Sequence, residues 1–302
     1  MQNFHNSSLI SHFSFLIIFC SLFIVSCATL SRFGEPAATP EEVSPRWTPL
    51  SVSGLDYFEG KVSRPRLKFY ALRVDLRSPD LRVAVAPGRT SGDGKTYSTR
   101  VSSFVRDNGL VAGVNALPFD PVSGREGEPR VNVGLVIADG VVFSPPHKSF
   151  DALVFYKDGR AAVVSQSEIK NFDNIENAVG GFYRILQNGG LVPRVLSLSA
   201  RHPRSAAGIS PDNRFLYLLV IDGRQIGSIG STEAETALLL RALGATEGIN
   251  FDGGGSSALV LRSPGGKIRV ANTPIHKQIP GRERAVAGSV GIIRNEELGV
   301  RN

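Results

Sequence analysis

A run of three glycines between apolar segments is the feature of this 302-residue chain that points most directly to chemistry. It lies in the segment Asn250-Phe251-Asp252-Gly253-Gly254-Gly255-Ser256-Ser257. Consecutive glycines cost backbone entropy, so they are expected where a positive φ is needed or where a ligand approaches the backbone closely. Successive N–H groups in such a loop can cradle an anion, and Asp252 adds a carboxylate. The segment predicts a functional loop, with a plain tight turn as the alternative.

Three further segments carry charged side chains that could serve the same loop. Arg201-His202-Pro203-Arg204 precedes a strand of small residues, Asp222-Gly223-Arg224 follows an apolar strand, and Glu283-Arg284 precedes the last strand. Paired guanidinium groups suit a phosphate or a carboxylate, although each segment also fits an ordinary solvated turn. The chain has 34 Lys and Arg against 27 Asp and Glu, a formal net charge of +7, which favours anionic partners.

Several other kinds of site lack the residues they need. No His-Glu-x-x-His sequence is present and only two cysteines occur, both within the first 27 residues, so a zinc site is not expected. The glycine loop has no following Gly-Lys-Ser/Thr and leads into a strand, which excludes a P-loop and a dinucleotide fingerprint. Aromatic and basic residues are not interleaved, which argues against nucleic acid as a partner. We expect no required cofactor; Ca²⁺ or Mg²⁺ on the aspartates stays an alternative.

The N-terminal region has the pattern of an export signal. Phe13 to Ser26 is an apolar run of 14 uncharged residues, too short for a comfortable membrane span. It ends in Ile24-Val25-Ser26-Cys27, which resembles a bacterial lipobox. We therefore expect residues 1–26 to be a lipoprotein signal peptide, with lipidation at Cys27 and export to the bacterial cell envelope membrane. A plain signal peptide or an uncleaved anchor is the alternative, because Met1 to His12 contains no Lys or Arg.

Composition divides the rest of the chain into two parts. Residues 27–46 hold Pro36, Pro40 and Pro45 among small polar neighbours, which predicts a flexible tether. Residues 47–302 form the predicted domain, which has no cysteine and must be stabilised by its apolar core.

Alternating apolar residues predict many short strands. Residues 70–76 and 81–85 alternate on either side of a turn, which predicts a hairpin. Asp139-Gly140 and Asp158-Gly159 each separate two apolar runs, the strongest short-range signal for a hairpin. Antiparallel pairing is therefore expected to predominate.

Two helices are predicted beside these strands. Thr232 to Leu243 opens with a capping box formed with Glu235, and Ser98 to Asn108 has an apolar face and a glycine stop. We expect an α+β fold, a predominantly antiparallel or mixed sheet with a few packed helices. The same spacing follows each helix and ends in Asn115 and in Asn250, which predicts comparable loops at the same end of adjacent strands, with coincidence as the alternative.

Several short sequence motifs, in order along residues 65 to 295, resemble those of the phosphodiester glycosidase domain family. The matching motifs are Gly113-Val114-Asn115 with Phe119-Asp120, Val136-Ile137-Ala138-Asp139-Gly140, Gly180-Gly181-Phe182, Arg201-His202-Pro203-Arg204-Ser205-Ala206, Val220-Ile221-Asp222-Gly223-Arg224, Glu235, Asn250 through Ser256, and Glu283-Arg284. The resemblance implies cleavage of a glycosidic bond whose leaving group is a phosphate monoester. It implies an N-acetylglucosamine-like sugar on a glycosyl-phosphodiester or anionic envelope glycan substrate.

The resemblance also implies roles for single residues. Asp252 is the expected carboxylate at the anomeric carbon, as nucleophile or as base toward water, with Asp222 and Asp120 as reserves. Arg204 and Arg284 are expected to hold the phosphate and stabilise its growing charge. The remaining phosphate-binding or sugar-binding candidates are Arg201, Arg224, Asn115, Asn250, Gly253, Gly254, Gly255 and Ser256.

The sequence departs from the family pattern after Asn115. The family continues with small residues and an aromatic pair, whereas this chain has Ala116-Leu117-Pro118-Phe119. Pro118 stiffens the segment and removes a hydrogen-bond donor, so the departure bears on substrate choice. Two other functions stay open at this point. One is a metal-dependent phosphodiesterase that uses the same aspartates as ligands, and the other is a non-catalytic lipoprotein that binds anionic glycans.

Overall fold

Antiparallel strands make up most of the regular structure in the computed structural model, which describes residues 37–86, 90, 95–122 and 125–295. The predicted signal peptide, Cys27 and residues 27–36 of the predicted tether lie outside these ranges. The helices are α1 (Val101–Asp107), α2 (Pro193–Leu196) and α3 (Glu233–Leu243). The strands are β1 (Thr48–Pro49), β2 (Leu55–Val62), β3 (Leu67–Asp75), β4 (Leu81–Ala86), β5 (Thr96–Tyr97), β6 (Ala112–Asn115), β7 (Phe119–Asp120), β8 (Pro129–Asn132), β9 (Val136–Ala138), β10 (Val141–Ser144), β11 (Asp151–Tyr156), β12 (Ala161–Ser165), β13 (Ile175–Gly180), β14 (Tyr183–Gln187), β15 (Gly190–Leu191), β16 (Arg204–Ile209), β17 (Phe215–Ile221), β18 (Glu247–Asn250), β19 (Leu259–Arg262), β20 (Ile268–Val270) and β21 (Ser289–Arg294).

These strands form four sheets. The largest has the order β1-β2-β3-β17-β16-β18-β14-β15, and two five-stranded sheets have the orders β20-β19-β6-β21-β4 and β10-β9-β13-β11-β12. A small sheet joins β5, β8 and β7. Every pairing between two named strands in the described residues is antiparallel, as the hairpin signals predicted.

The eight-stranded sheet is covered on both faces. On one face, Leu72 and Ile249 pack with Val290 of the second sheet in the main core. On the other face, Leu219 packs against α3 through Leu240. Because both faces are buried, β17 has an almost continuous apolar sequence instead of an alternating one. The two predicted helices are both present, and α3 carries the predicted capping box.

The predicted hairpin over residues 70–85 is wrong. β3 pairs with β2 and β17 in the largest sheet, whereas β4 pairs with β21 in the second sheet. The turn between them therefore carries the chain from one layer to the next. An alternating pattern indicates a half-buried strand without indicating its partner, which is why the sequence could not distinguish the two arrangements. The Asp139-Gly140 and Asp158-Gly159 hairpins are confirmed as β9–β10 and β11–β12.

Strands outweigh helices more strongly than an α+β class implies, and the fold is mostly β. Residues 37–46 of the predicted tether also pack on the domain, because Ala37 pairs with Val62 and Val43 is buried in the core beside α3. No helix in the described part of the chain has the length and apolar character needed to cross a membrane.

Candidate functional site

The glycine loop, which follows β18 in the largest sheet, meets the loop that follows β6 in the second sheet. Asn115 ends β6 in the second sheet, and its Nδ2 donates to the carbonyl oxygen of Asp252 at 2.6 Å. Its Oδ1 accepts from Ser205 Oγ at 2.7 Å and from the Ala258 amide at 3.1 Å. Asn115 is fully buried. The predicted substrate contact by Asn115 is therefore corrected: its side-chain amide makes three hydrogen bonds within the protein, and these hold the loop in place. The two Asn loops do meet, as the spacing predicted, but their strands belong to different sheets.

The departure from the family pattern lies in the same support. Ala116 and Leu117 are fully buried, and the Ala116 carbonyl accepts from the Asp252 amide at 2.8 Å. Both residues donate their own amides to the carbonyl of Gly288. The altered segment therefore supports the backbone of Asp252 through a hydrogen bond.

Replacing Asn115 with Ala is expected to destabilise the protein by about 3 kcal/mol, because three hydrogen bonds are lost and two buried partners are left unsatisfied. Thermal unfolding followed by circular dichroism measures this cost. A variant as stable as the wild type would contradict the role assigned to Asn115 in joining the loops.

The glycine loop is shaped by close packing and by one positive φ. A Cβ on Gly253 would lie 2.8 Å from the carbonyl oxygen of Pro203, and Gly254 has φ of +62°. The Gly254 amide already donates to Pro203 at 2.8 Å, and the Gly253 amide donates to the Asp252 carboxylate. The predicted anion-binding nest of glycine amides is thus largely occupied by the protein itself. The loop instead serves to present Asp252.

Asp252 has the most distinctive carboxylate of the site. Burial raises its pKa to about 6, and this effect outweighs the opposing hydrogen bond from Ser256 and the charge of Arg284. Ser256 also accepts from Arg284 NH1 at 3.1 Å, so its hydroxyl links the cation to the carboxylate. Ser256 is buried, and it positions the pair instead of binding substrate. A raised pKa makes Asp252 the carboxylate of this loop that fits acid–base or nucleophilic chemistry near neutral pH.

A role for ionised Asp252 gives the pH profile a definite direction. Because the pKa of Asp252 is about 6, the active carboxylate is lost as the pH falls below that value. We expect kcat/KM to fall about tenfold per pH unit on the acid side and to level off above it. Initial rates on a glycosyl phosphodiester, whose own charge is constant in this range, provide the measurement. A flat profile through pH 6 would contradict the role.

Two arginines flank the glycine loop and carry its positive charge. A Cβ on Gly254 would lie 3.3 Å from Arg224 NH2, and one on Gly255 would lie 2.7 Å from Arg284 NH2. The two guanidinium groups are close enough to repel each other, which helps burial to lower the pKa of Arg284. Arg224 is exposed and contacts His202 Nδ1 at 3.2 Å. Two like charges held beside one loop suit an anion such as a phosphodiester, and we name this pair of arginines the cradle.

His276 is the buried side chain that holds the Arg284 guanidinium group in place. Its Nδ1 accepts from Arg284 Nε at 3.2 Å, and the ring is 3% exposed. Burial and the neighbouring cations lower the pKa of His276 to about 4, so the imidazole stays neutral and can accept this bond. No sequence motif singles out His276. Its position eight residues before Arg284 gives no signal of the contact.

Arg201 and Arg204 do not lie in the cradle as predicted. Arg201 forms a bidentate pair with Glu235 at 2.7 and 2.5 Å. Arg204 is buried, donates to Glu233 at 3.2 Å and also contacts the carbonyls of Ser231 and Ala200. Both guanidinium groups are therefore used to anchor the start of α3, and Glu235 combines this pairing with its capping role.

Three other predicted residues also have different surroundings. Asp222 is buried, its carboxylate accepts from Tyr70, Asn272 and the Thr273 amide, and burial raises its pKa. Asp120 is exposed on β7, apart from the contacts that surround Asp252. Asn250 is buried at the end of β18, and its Oδ1 has no partner among the described residues. Asp222 is thus near the glycine segment, because Asn272 donates both to its carboxylate and to the Ser257 carbonyl, but that carboxylate is already bonded by protein donors.

Known proteins show the same fold. The chain aligns with the catalytic domain of zebrafish N-acetylglucosamine-1-phosphodiester alpha-N-acetylglucosaminidase, auto-inhibited by pro-peptide. The TM-score is 0.62 at 19% identity, covering 83% of this chain and 89% of that one. A hypothetical protein from Synechocystis aligns with a TM-score of 0.55 at 14% identity, covering 81% of this chain and 64% of that one. At these identities the likeness concerns the fold alone.

Sequence relationships extend over much of the chain. It is 26% identical over 252 residues to the SPbeta prophage-derived uncharacterized protein YomE of Bacillus subtilis (strain 168). The match covers 79% of this chain and 36% of that protein, so the chain spans about a third of its length. Residues 108–293 match the profile of one family, and this range includes the glycine loop and both cradle arginines. The chain therefore belongs to the phosphodiester glycosidase family.

Proposed function

We propose that the protein hydrolyses the glycosidic bond of a glycosyl phosphodiester and releases a free sugar and a phosphomonoester. The observation behind this proposal is that three charged side chains, Asp252, Arg284 and Arg224, lie together at the glycine loop. Asp252, whose pKa is raised to about 6, is joined through Ser256 to Arg284, and Arg224 lies beside Gly254 of the same loop. A carboxylate beside two cations suits a substrate that combines an electrophilic carbon with an anionic leaving group.

The leaving group explains why cations matter here. A phosphomonoester has a second pKa of about 6, so it departs without the strong protonation that a sugar alcohol requires. Arg224 and Arg284 hold the phosphodiester, and they stabilise the second negative charge as it develops on the leaving oxygen. The site therefore needs no carboxylic acid as general acid.

Asp252 acts at the anomeric carbon, either by attacking it or by activating the water that attacks. The bond between C1 and the phosphate oxygen breaks, and its electron pair leaves with the phosphomonoester. Water supplies the new hydroxyl at C1, and its proton passes through Asp252 to solvent. Ser256 and the Gly253 amide orient the carboxylate throughout.

A metal-dependent phosphodiesterase is the rival reaction. In the described ranges, no three His, Cys, Asp or Glu side chains lie together, so a divalent cation there would take most of its ligands from backbone carbonyls, water or the substrate phosphate. Asp222, one of the candidate ligands, already has its carboxylate bonded by three protein donors.

The proposed function is tested by incubating the protein with a panel of sugar phosphodiesters. We expect free sugar and a phosphomonoester from at least one α-linked N-acetylglucosaminyl phosphodiester. This choice of sugar follows the enzyme name of the zebrafish relative, and neutral glycosides with alcohol leaving groups serve as the control. Sugar phosphate plus alcohol would support the rival phosphodiesterase, and binding without turnover would support the anionic-glycan-binding lipoprotein.

We also propose that the protein is exported and anchored to the cell envelope membrane through lipidated Cys27. The support is the apolar run from Phe13 to Ser26, whose last three residues together with Cys27 form the lipobox-like sequence Ile24-Val25-Ser26-Cys27. Replacing Cys27 with Ala is expected to abolish incorporation of radiolabelled palmitate in a bacterial host and to release the protein from the membrane fraction. Undiminished labelling of the variant would refute the assignment.

A further inference from the structure

Four aromatic residues form a cluster that belongs to none of the hydrophobic cores of the described chain. They are His147, Phe150, Phe182 and Tyr183, and we name this cluster the aromatic wall. The Phe150 ring stacks on His147 at a centroid distance of 4.1 Å and meets Phe182 and Tyr183 nearly edge-on at 5.3 and 5.9 Å. All four residues are partly exposed. Aromatic rings outside a core and open to solvent indicate a binding surface.

Polar groups of two neighbouring residues, Asp151 and Gln166, fix the backbone of the wall by hydrogen bonds. Asp151 ties its two segments together: its amide donates to Phe182 O at 3.2 Å, its carbonyl accepts from Gly181 at 2.9 Å, and its Oδ2 accepts from the Arg184 amide at 2.5 Å. Gln166, which is fully buried, accepts from the His147 amide and donates to the Asp151 carbonyl, both at 2.8 Å. A preorganised surface of this kind loses little conformational entropy when a ligand binds.

The wall adjoins the strand that leads to the catalytic carboxylate. The Phe182 amide donates to the carbonyl oxygen of Asn250 at 2.8 Å, and a Cβ on Gly181 would lie equally close to that oxygen. Asp252 follows Asn250 by two residues. The Phe182 backbone thus lies one strand spacing, ~5 Å, from the end of β18, so the wall borders the segment that leads into the glycine loop.

We infer that the aromatic wall is a carbohydrate subsite that binds the pyranose ring of the substrate; this inference rests on the proposed function. A pyranose has an apolar face of C–H groups and a rim of hydroxyls, so it binds flat aromatic surfaces that carry polar groups at their edges. The wall offers both. Tyr183 contributes a hydroxyl and has Arg194 over its ring at 3.6 Å, and His147 contributes an imidazole. Polar edges interspersed among the rings suit a sugar better than an aliphatic chain.

Phe150 is the residue to change, because it contacts all the other members of the wall. Phe150→Leu keeps an apolar side chain but removes the flat ring, and Phe150→Tyr keeps the ring. The matched control is Tyr156→Leu, which makes a like change at a partly exposed aromatic residue at the other end of β11, with Arg160 over its ring at 5.2 Å. Circular dichroism confirms folding, and Phe182→Leu replaces the first variant if it fails to fold.

Two readouts separate this inference from the proposed function. Saturation-transfer NMR with methyl α-N-acetylglucosaminide reports binding without turnover, and steady-state kinetics on the phosphodiester report KM and kcat. We expect Phe150→Leu to reduce saturation transfer to the ring protons and to raise KM about tenfold, with kcat little changed, because a stacking contact is lost. Phe150→Tyr and Tyr156→Leu are expected to match the wild type.

Normal saturation transfer and an unchanged KM in Phe150→Leu would overturn the inference while leaving the proposed function intact. Absence of saturation transfer in the wild-type protein would also overturn it. Conversely, ring-dependent saturation transfer in a protein that cleaves no phosphodiester would support the wall and refute the proposed function.

Discussion

Asp252→Asn is expected to reduce kcat on a glycosyl phosphodiester by about 10³-fold or more, with KM little changed. The amide keeps the shape of the side chain and can still bond Ser256, but it can neither attack the anomeric carbon nor accept a proton from water. We propose this carboxylate as the reactive one because its pKa is raised and it lies beside Arg284 at the glycine loop. Initial rates of sugar release, measured with the purified variant, determine the loss.

Asp120→Asn is the matched control, because it makes the same chemical change on an exposed strand. Its rate is expected to equal that of the wild type. If Asp252→Asn retained wild-type turnover, Asp252 would be removed from the mechanism. A large loss in Asp120→Asn would instead return that residue to the candidate set.

Arg284→Lys is expected to lower kcat/KM by about 10²-fold, the second largest effect. Arg284 contacts His276 through Nε and Ser256 through NH1, and a single ammonium group cannot reproduce this fork. The loss should fall on the charged substrate. With a methyl phosphotriester analogue, which has no negative charge on the phosphate, wild type and variant are expected to differ much less.

Arg201→Lys separates this effect from a general loss of positive charge. Arg201 pairs with Glu235 at the start of α3 instead of bordering the glycine loop. We expect it to lower the melting temperature slightly and to leave kcat/KM unchanged. Equal losses in both variants, or an equal loss of Arg284→Lys activity on the neutral analogue, would contradict the cradle.

The sequence singled out the glycine loop and Asp252 as candidates, because consecutive glycines between apolar strands have few structural explanations. It could not distinguish the four arginines, since their spacing is equally consistent with phosphate binding and with ion pairing. Their partners in the structure distinguish them: Arg204 pairs with Glu233, and Arg201 pairs with Glu235. Arg224 and Arg284 remain at the loop.

Local fold signals were predicted well and long-range ones were not. The capping box of α3 and the Asp-Gly hairpins depend on neighbouring residues, so they can be recognised from short segments. The passage of the chain from β3 into a different sheet at β4 depends on β21, more than 200 residues away along the chain. No local pattern specifies that partner.

Asn115 shows the same limit at the site. The family resemblance implied that Asn115 binds sugar hydroxyls or phosphate, but its three hydrogen bonds join segments that lie far apart in sequence. Its complete burial follows from two sheets packing together, which the sequence pattern around it does not reveal.

Cleavage in H₂¹⁸O tests the central claim, that the bond broken is between carbon and oxygen, most directly. Attack at the anomeric carbon places the solvent oxygen in the sugar, so the released phosphomonoester should contain no ¹⁸O. Mass spectrometry of the phosphomonoester is decisive because phosphate oxygens do not exchange with water under assay conditions. An unlabelled phosphomonoester is the result expected for a glycosidase that uses Asp252. One ¹⁸O atom in the phosphate would show attack at phosphorus and would contradict the proposed reaction.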